Sequence, residues 1–257
     1  MLDCKPADTP MVVNHGLQIL EQAESVNQTQ YQKLVRKLIY LSHTRPDIAY
    51  AVGVVSRFMH KPQKHHLEVV YRILRYLKGT SGKGVIYEKH GNLDLHAFTD
   101  ADWGADRDGR KSTSGYFTLI GGNLVSWKGK LQKVVAMSSA EAEFRGIAKG
   151  ITEVLWLRKL LTELRYAPRK SCKLYCDNMA AIRISENPVQ HDRTKHVEID
   201  RHFIRDHLDG KVISLPFVRS EDQLADILTK AVTMQAFERA LSKLGVVNPT
   251  TQLEGEC

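Results

Sequence analysis

The feature that most limits what this chain can become is a change of hydrophobic period near Gly84. Before it, apolar residues recur at three- and four-residue steps: Tyr31, Leu34 and Leu38, then Ile48, Val52, Val55 and Met59, then Leu67, Val70, Leu74 and Leu77. That spacing puts one apolar stripe on each segment, so three amphipathic helices are predicted. "TRPD" separates the first two and "HKPQ" the second and third, with Pro46 suited to a first helical turn and Pro62 to a stop. "KGTSGKG" then forms a flexible joint. After it, "DLHAFTDA" alternates, while "TSGYFTLIGG" and "LVSWKGK" are rich in aromatic and β-branched residues, which predicts an antiparallel meander.

The meander is followed by a long helix, "SSAEAEFRGIAKGITEVLWLRKLLTELR", with Phe144, Ile147, Ile151, Val154 and Leu155 on one stripe. Then come a strand ("KLYCD"), a short helix ("MAAIRISEN") stopped by Pro188, and a helix about His196–Leu208 ended by Gly210. A strand ("VISLPFV") and two helices close the chain. The order, through the first closing helix, is β-β-β-α-β-α-α-β-α, which implies an α/β fold, a mixed sheet with helices packed on its faces. Residues 1–28 have little periodicity and two prolines, and are expected to be a linker or the truncated edge of something larger. The boundaries that follow are 1–28, a helical segment 29–84, an α/β domain 91–245 and a tail 246–257.

Composition excludes several classes. With 42% hydrophobic and 26% charged residues over 257 positions, the chain can bury a core without disulfides. No apolar run reaches membrane-spanning length and no signal peptide is evident, so an intracellular protein, cytoplasmic or nuclear rather than secreted, is expected. Cys4, Cys172, Cys176 and Cys257 form no disulfide framework. On a strand, Cys172 and Cys176 would stand about 13 Å apart at roughly 3.3 Å per residue, too far to share one ion. His60, His65, His66, His191, His196, His202 and His207 show no metal-ligand spacing and are expected to be structural or surface residues, with His196 and His202 packing or capping rather than catalysing.

Charge is uneven. Residues 1–90 hold 13 Lys and Arg against 7 Asp and Glu, whereas residues 91–257 hold 24 against 22. A basic face beside a carboxylate-bearing domain suits an enzyme that acts on a polyanion. In the third helix, Lys64, Arg72, Arg75 and Lys78 form a basic flank, and Arg72 and Arg75 are candidate phosphate contacts.

"HAFTDADWGADRDG" carries four aspartates, of which Asp100 is read as ending its strand, and Asp102, Asp106 and Asp108 as turn and loop residues. Asp177 ends "KLYCD". Chemistry in open α/β sheets is mounted beyond the carboxyl ends of strands, so these two carboxylates meet if their strands are neighbours. In the long helix, Ser138 and Glu141 fit a capping box, which gives Glu141 a local role and leaves Glu143, four residues before Ile147, to border the sheet. Ser220 and Gln223 fit a second capping box, starting a helix that carries Asp226 beside Leu224, Ile227 and Leu228. Four converging carboxylates would raise one another's pKa unless cations neutralise them, and hard divalent ions prefer such oxygens. Other candidates are Ser114, Asn178, and Trp127 with Lys128, Lys130 and Lys133 as a nucleic-acid track.

"AFTDADWG", "SSAEAEF", "LYCDNMAA" and "QLADILTK" resemble the four active-site motifs of the ribonuclease H domain of copia-type LTR retrotransposon Pol polyproteins. "YQKLVRKLIYLSHTRPDIAYAVGVVSRFMHKPQKHHLEVVYRILRYLKGT" resembles the tail of the preceding reverse transcriptase, and with "TKHVEIDRHFIRDHL" the match runs over about residues 31–245. The resemblance implies a ribonuclease H-like mixed five-stranded sheet flanked by helices, after a small helical segment. It implies that Asp100, Glu143, Asp177 and Asp226 are the catalytic set holding two Mg²⁺ ions, with Mn²⁺ as the alternative. The implied substrate is the RNA strand of an RNA–DNA hybrid, and the implied partner is the remainder of a Pol protein. The sequence departs from the family in two ways: no Asp-Asp pair of a polymerase palm occurs, and "VRSEDQLAD" lacks the histidine that relatives carry before the last catalytic helix. A non-catalytic nucleic-acid-binding or assembly remnant is the competing reading. A related exonuclease fits less well, because that class wants Glu where Asp102 stands.

Overall fold

The computed structural model describes residues 3–186 and 195–248, which divide into two compact units. One takes the described residues of 1–86, 107–109 and 230–257; the other takes those of 87–106 and 110–229.

The first unit is mainly helical, with α1 (Gln28–Leu41), α2 (Ala49–Ser56) and α3 (Lys64–Gly79), the three predicted segments. A short strand β1 (Gly84–Val85) pairs antiparallel with β7 (Val246–Val247), which follows α8 (Met234–Lys243). Tyr31, Val35, Val55, Val70 and Ile73 form the buried interior, and the Tyr31 hydroxyl donates to the Val55 carbonyl at 2.7 Å. Pro46 starts a turn of 3₁₀ helix ahead of α2, as its fixed φ favours. Within this unit Arg45 and Asp47 are a buried ion pair at 2.6 Å. Tyr76 donates to Asp47 at 2.8 Å, and Arg45 donates to the Thr80 carbonyl at 2.9 Å.

Residues before α1 pack on the helices rather than trailing as a linker. Thr9 and Met11 are buried, and the Gln63 amide clasps Leu20, accepting from its N–H and donating to its carbonyl. The same segment engages the basic flank of α3: Lys64 meets Glu24, Arg72 donates to the Thr9 hydroxyl at 3.0 Å, and Lys78 donates to the Cys4 carbonyl at 2.9 Å. Phe237 of α8 packs edge-on to Tyr76. Residues 230–248 therefore cluster with the early helices, although the change of texture drew the α/β domain through residue 245.

The second unit contains β2 (Leu95–Asp102), β3 (Thr113–Ile120), β4 (Asn123–Leu131), α4 (Ser139–Glu163), β5 (Cys172–Tyr175), α5 (Met179–Glu186), α6 (Lys195–Asp209), β6 (Ile213–Ser214) and α7 (Asp226–Thr229). Its five strands stand in the order β4-β3-β2-β5-β6. The meander β2-β3-β4 is antiparallel, while β5 joins β2 in parallel, with Phe98 opposite Tyr175. The crossover through α4 makes β2 and β5 neighbours and brings Asp100, near the end of β2, beside Asp177, just past the end of β5. Phe144, Ile147, Ile151 and Val154 of α4 meet Ala97 and Leu174 in the core. The strand expected at "VISLPFV" is short: after Ser214, Pro216 cannot donate to a ladder, and pairing resumes only at the Cys176–Phe217 bridge.

Two glycines decide how closely α7 approaches the sheet. A Cβ at Gly115 would lie 2.7 Å from Leu228 Cβ, and one at Gly129 would lie 2.5 Å from the Leu228 carbonyl oxygen. Both contacts are shorter than real Cβ atoms tolerate, so these paired positions of β3 and β4 leave the room in which α7, and Asp226 with it, settles.

Candidate active site

Asp100 lies on β2 opposite Gly115, and it is buried. The strand does not end there. Asp102, read from the sequence as a turn residue, is the last paired residue of β2, opposite Thr113, because Thr113 and Ser114 extend the ladder two positions past Asp100. The turn begins after it and closes with the Arg110 N–H on the Asp106 carbonyl at 2.7 Å.

Glu143 sits in the second turn of α4. The Ser138 hydroxyl accepts from the Glu141 N–H as an N-cap should, but the Glu141 carboxylate overshoots the cap residue and accepts from Met137 N–H at 2.7 Å and from Arg145. Glu141 is thus a local helix-end group, and Glu143 turns to β2, where its Oε1 accepts the Ala101 N–H at 3.1 Å. Cys176 lies on the other side of it, with Sγ 3.9 Å from Oε2. Weighed only against Cys172, Cys176 gave no sequence signal of this contact; strand alternation, which points Cys172, Leu174 and Cys176 inward, carries it.

Asp177 follows β5 and Asp226 opens α7. One oxygen each of Asp100, Asp177 and Asp226 lie within 4.8 Å of one another, and so do ligand atoms of Glu143, Cys176 and Asp177. The four carboxylates therefore form one cluster, linked through Asp177. Burial, and next to it the Asp100 carboxylate, push the Glu143 carboxyl up to about 10, with Asp177 adding to the rise. Burial and then Glu143 push the Cys176 thiol up as well. An all-oxygen set crowded by like charge fits a hard divalent cation, which neutralises it.

Two hydroxyls orient the aspartates, and sequence reasoning missed both. Thr229, at the end of α7, donates to Asp100 Oδ2. Ser220 donates to Asp177 Oδ2 at 2.8 Å. The predicted capping box at Ser220 and Gln223 does not form: Ser220–Asp222 is a 3₁₀ turn, the Gln223 amide reaches to the Thr99 carbonyl at 3.0 Å, and α7 starts only at Asp226. The local motif yields because a bond from Gln223 to a buried carbonyl within β2 ties the loop to the sheet, which a reciprocal cap would not.

The proposed contact residues divide. Ser114 is buried and accepts from Gln132 at 2.6 Å and from Lys149 at 3.3 Å. Lys128 and Lys130, exposed on β4, share with Ser114, Lys149 and Glu153 a cavity of about 250 Å³. Trp127 does not join them as a track, since alternation sends it to the opposite face of β4. Lys149 is the residue the sequence did not offer; burial, then Arg145, Lys128 and Lys130, lower its ammonium to about 8. The Asn178 side chain caps α5 by accepting the Ala181 N–H at 3.0 Å. Arg72 and Arg75 lie in the first unit. His66 is buried, stacked on Phe58, and caps α3, a structural role; His191 and His196 lie outside the described side chains.

This chain is 43% identical over 246 residues to the retrovirus-related Pol polyprotein from transposon RE1 of Arabidopsis thaliana, covering 96% of the chain and 17% of that protein. To the corresponding polyprotein from transposon TNT 1-94 of Nicotiana tabacum it is 38% identical over 255 residues, covering 96% and 19%. The chain belongs to the retrovirus-related Pol polyproteins of transposons. It spans less than a fifth of the length of these relatives. Among solved structures, LC11-RNase H1 in complex with an RNA/DNA hybrid is similar over 58% of this chain and 99% of that one, with 14% identity and a TM-score of 0.39. No family model matches. The five-stranded mixed sheet and its helices are the ribonuclease H-like fold that the motifs of this Pol segment imply. Among the described residues no helix is long and apolar enough to cross a membrane.

Proposed function

We propose that this Pol segment is a divalent-metal-dependent endonuclease that hydrolyses the RNA strand of RNA–DNA hybrids inside the cell, during reverse transcription and beside the remainder of its Pol protein. The observation that carries the reading is the convergence of Asp100 on β2, Glu143 on α4, Asp177 just after β5 and Asp226 on α7, near the carboxyl ends of β2 and β5. Asp100, Asp177 and Asp226 would hold the cations, Mg²⁺ or Mn²⁺, with Glu143 completing the set. Two such ions supply an activated water and charge stabilisation for the departing oxygen of a phosphodiester.

The chain's own groups do the positioning. Thr229 and Ser220 fix the rotamers of Asp100 and Asp177, and the Ala101 N–H anchors Glu143 against β2. Lys128, Lys130 and Lys149 offer positive charge beside Ser114 for the hybrid backbone, which binds by counterion release whatever its base sequence. The products are a 5′-phosphate and a 3′-hydroxyl.

Incubation of the chain with an end-labelled hybrid and Mg²⁺ tests the reading. Internal cuts in the RNA strand, lost in Asp100→Asn, are expected; an intact hybrid, or cutting that survives Asp100→Asn, overturns it in favour of a binding remnant.

A further inference from the structure

The first unit contains a cleft of about 350 Å³ lined by His15, Gln18, His65, Glu68, Arg72 and Arg75. Arg72 and Arg75 are three residues apart on α3 and so share one face, about 5–6 Å apart at their Cβ atoms. The Nε atoms of both are buried and have no hydrogen-bond partner. Both arginines are half-buried, but a buried Nε–H with an unmet partner is costly, and a pair of them on one wall of a cavity asks for an anion.

The rest of the lining does not supply one in sufficient measure. Glu68 is the carboxylate of the cleft and is exposed; Asp8 stands near Arg72 but leaves burial and Arg75 to lower its pKa. His15 has both ring nitrogens engaged, one with Tyr50 and one with the Leu17 N–H, so it offers the cleft no further acceptor. Burial, then Arg57 and Arg107, hold His15 below the usual histidine range, which marks the same corner as cationic. His65 is bonded to the Gln18 carbonyl at 3.0 Å.

We propose that this cleft is a second phosphate-binding site, in which Arg72 and Arg75 take a backbone phosphate of the nucleic acid. Planar guanidinium forks match phosphate oxygens in pairs, which lysine cannot do. The polymer is favoured over a small anion by the excess of positive charge in residues 1–90, 13 Lys and Arg against 7 Asp and Glu, which extends well past one cavity. The identity of the polymer rests on the nuclease reading; the phosphate chemistry rests on the arginines alone.

The test is a fluorescence-anisotropy titration of a labelled RNA–DNA hybrid against the full chain in EDTA, at several salt concentrations. Arg72→Gln with Arg75→Gln is expected to weaken binding about tenfold and to lower the log–log salt slope by about 1 to 2, the change for losing one or two phosphate contacts. Arg72→Lys with Arg75→Lys should keep most of the slope while losing affinity. Thermal midpoints identify any variant that does not fold, in which case single Arg75→Gln is read instead. An unchanged affinity and slope in a folded variant overturns the proposal. Inorganic phosphate that raises the wild-type midpoint without competing for the hybrid would also overturn it, by making the site one for a free anion. Asp100→Asn, run in parallel, loses cleavage while keeping hybrid binding, so a failure of the nuclease reading remains separate.

Discussion

Both units bury carboxylates, and they do so on opposite terms. Asp47 in the helical unit has its counterion within its own chain, Arg45 at 2.6 Å, and Tyr76 completes its shell. Glu143 in the α/β unit is buried against Asp100 and Asp177, and these neighbours raise its pKa rather than stabilise its charge. The first arrangement finishes itself and is structural. Under the proposed function the second is completed by cations from outside, and stability that the fold gives up there is available for chemistry.

The sharpest way to break this contrast is to remove one carboxylate from each side. Asp47→Asn leaves Arg45 buried without its charge partner and should cost about 3–5 kcal/mol in chemical denaturation, the usual penalty for breaking a buried pair. Asp100→Asn should do the reverse in metal-free buffer, raising the thermal midpoint by relieving like-charge repulsion. In Mg²⁺ the same substitution should lower hybrid cleavage about 100- to 1,000-fold, the scale of losing one electrostatic stabiliser. A fall in the metal-free midpoint of Asp100→Asn would erase the distinction between the two clusters.

Next in size is Gly129→Ala. A methyl group there meets the Leu228 carbonyl at 2.5 Å, so α7 must shift and carry Asp226 with it. A loss of about tenfold or more in cleavage is expected, against a stability loss of about 1–3 kcal/mol typical of overpacking. Ser220→Ala removes a positioning hydroxyl and should raise the Mg²⁺ concentration for half-maximal cleavage about tenfold, at the low end for groups that orient metal ligands. Ser220→Thr should restore it, which a merely structural loop residue would not require.

The smallest effect is a pH dependence. Lys149 is lowered from 10.5 to about 8 in the folded chain, so hybrid affinity should weaken as pH rises through about 8 and the charge is lost. Stability moves the other way: between about 8 and 10.5 the unfolded chain binds more protons, so this residue's contribution grows with pH across that window. Lys149→Met should remove both trends.

The periodic part of the architecture was legible because it is written locally: helix stripes, strand alternation, and proline at Pro46 fix α1 to α3 and the meander without knowledge of contacts. The placement of Asp100 and Asp177 followed from topology alone, through one crossover. What escaped depends on residues far apart. Ser220 looked like a cap because its neighbours fit one, yet its hydroxyl meets a carboxylate 43 positions earlier. Thr229 reaches across 129 positions to Asp100, and Lys149 is depressed by burial, then by Arg145 and by two lysines of β4 that no helix pattern could associate with it. The grouping of α8 with the first unit was hidden for the same reason, since Phe237 meets Tyr76 only after the whole sheet has been laid down between them.

The pairing of β1 with β7 has a consequence for the order in which the chain is made. Residues 84–85 emerge from a ribosome well over a hundred positions ahead of their partners at 246–247. The helical unit begins first but cannot close its two-stranded stem until the α/β unit has been synthesised in full. The segment started later is complete sooner, and of the two units the earlier one is the later to be locked.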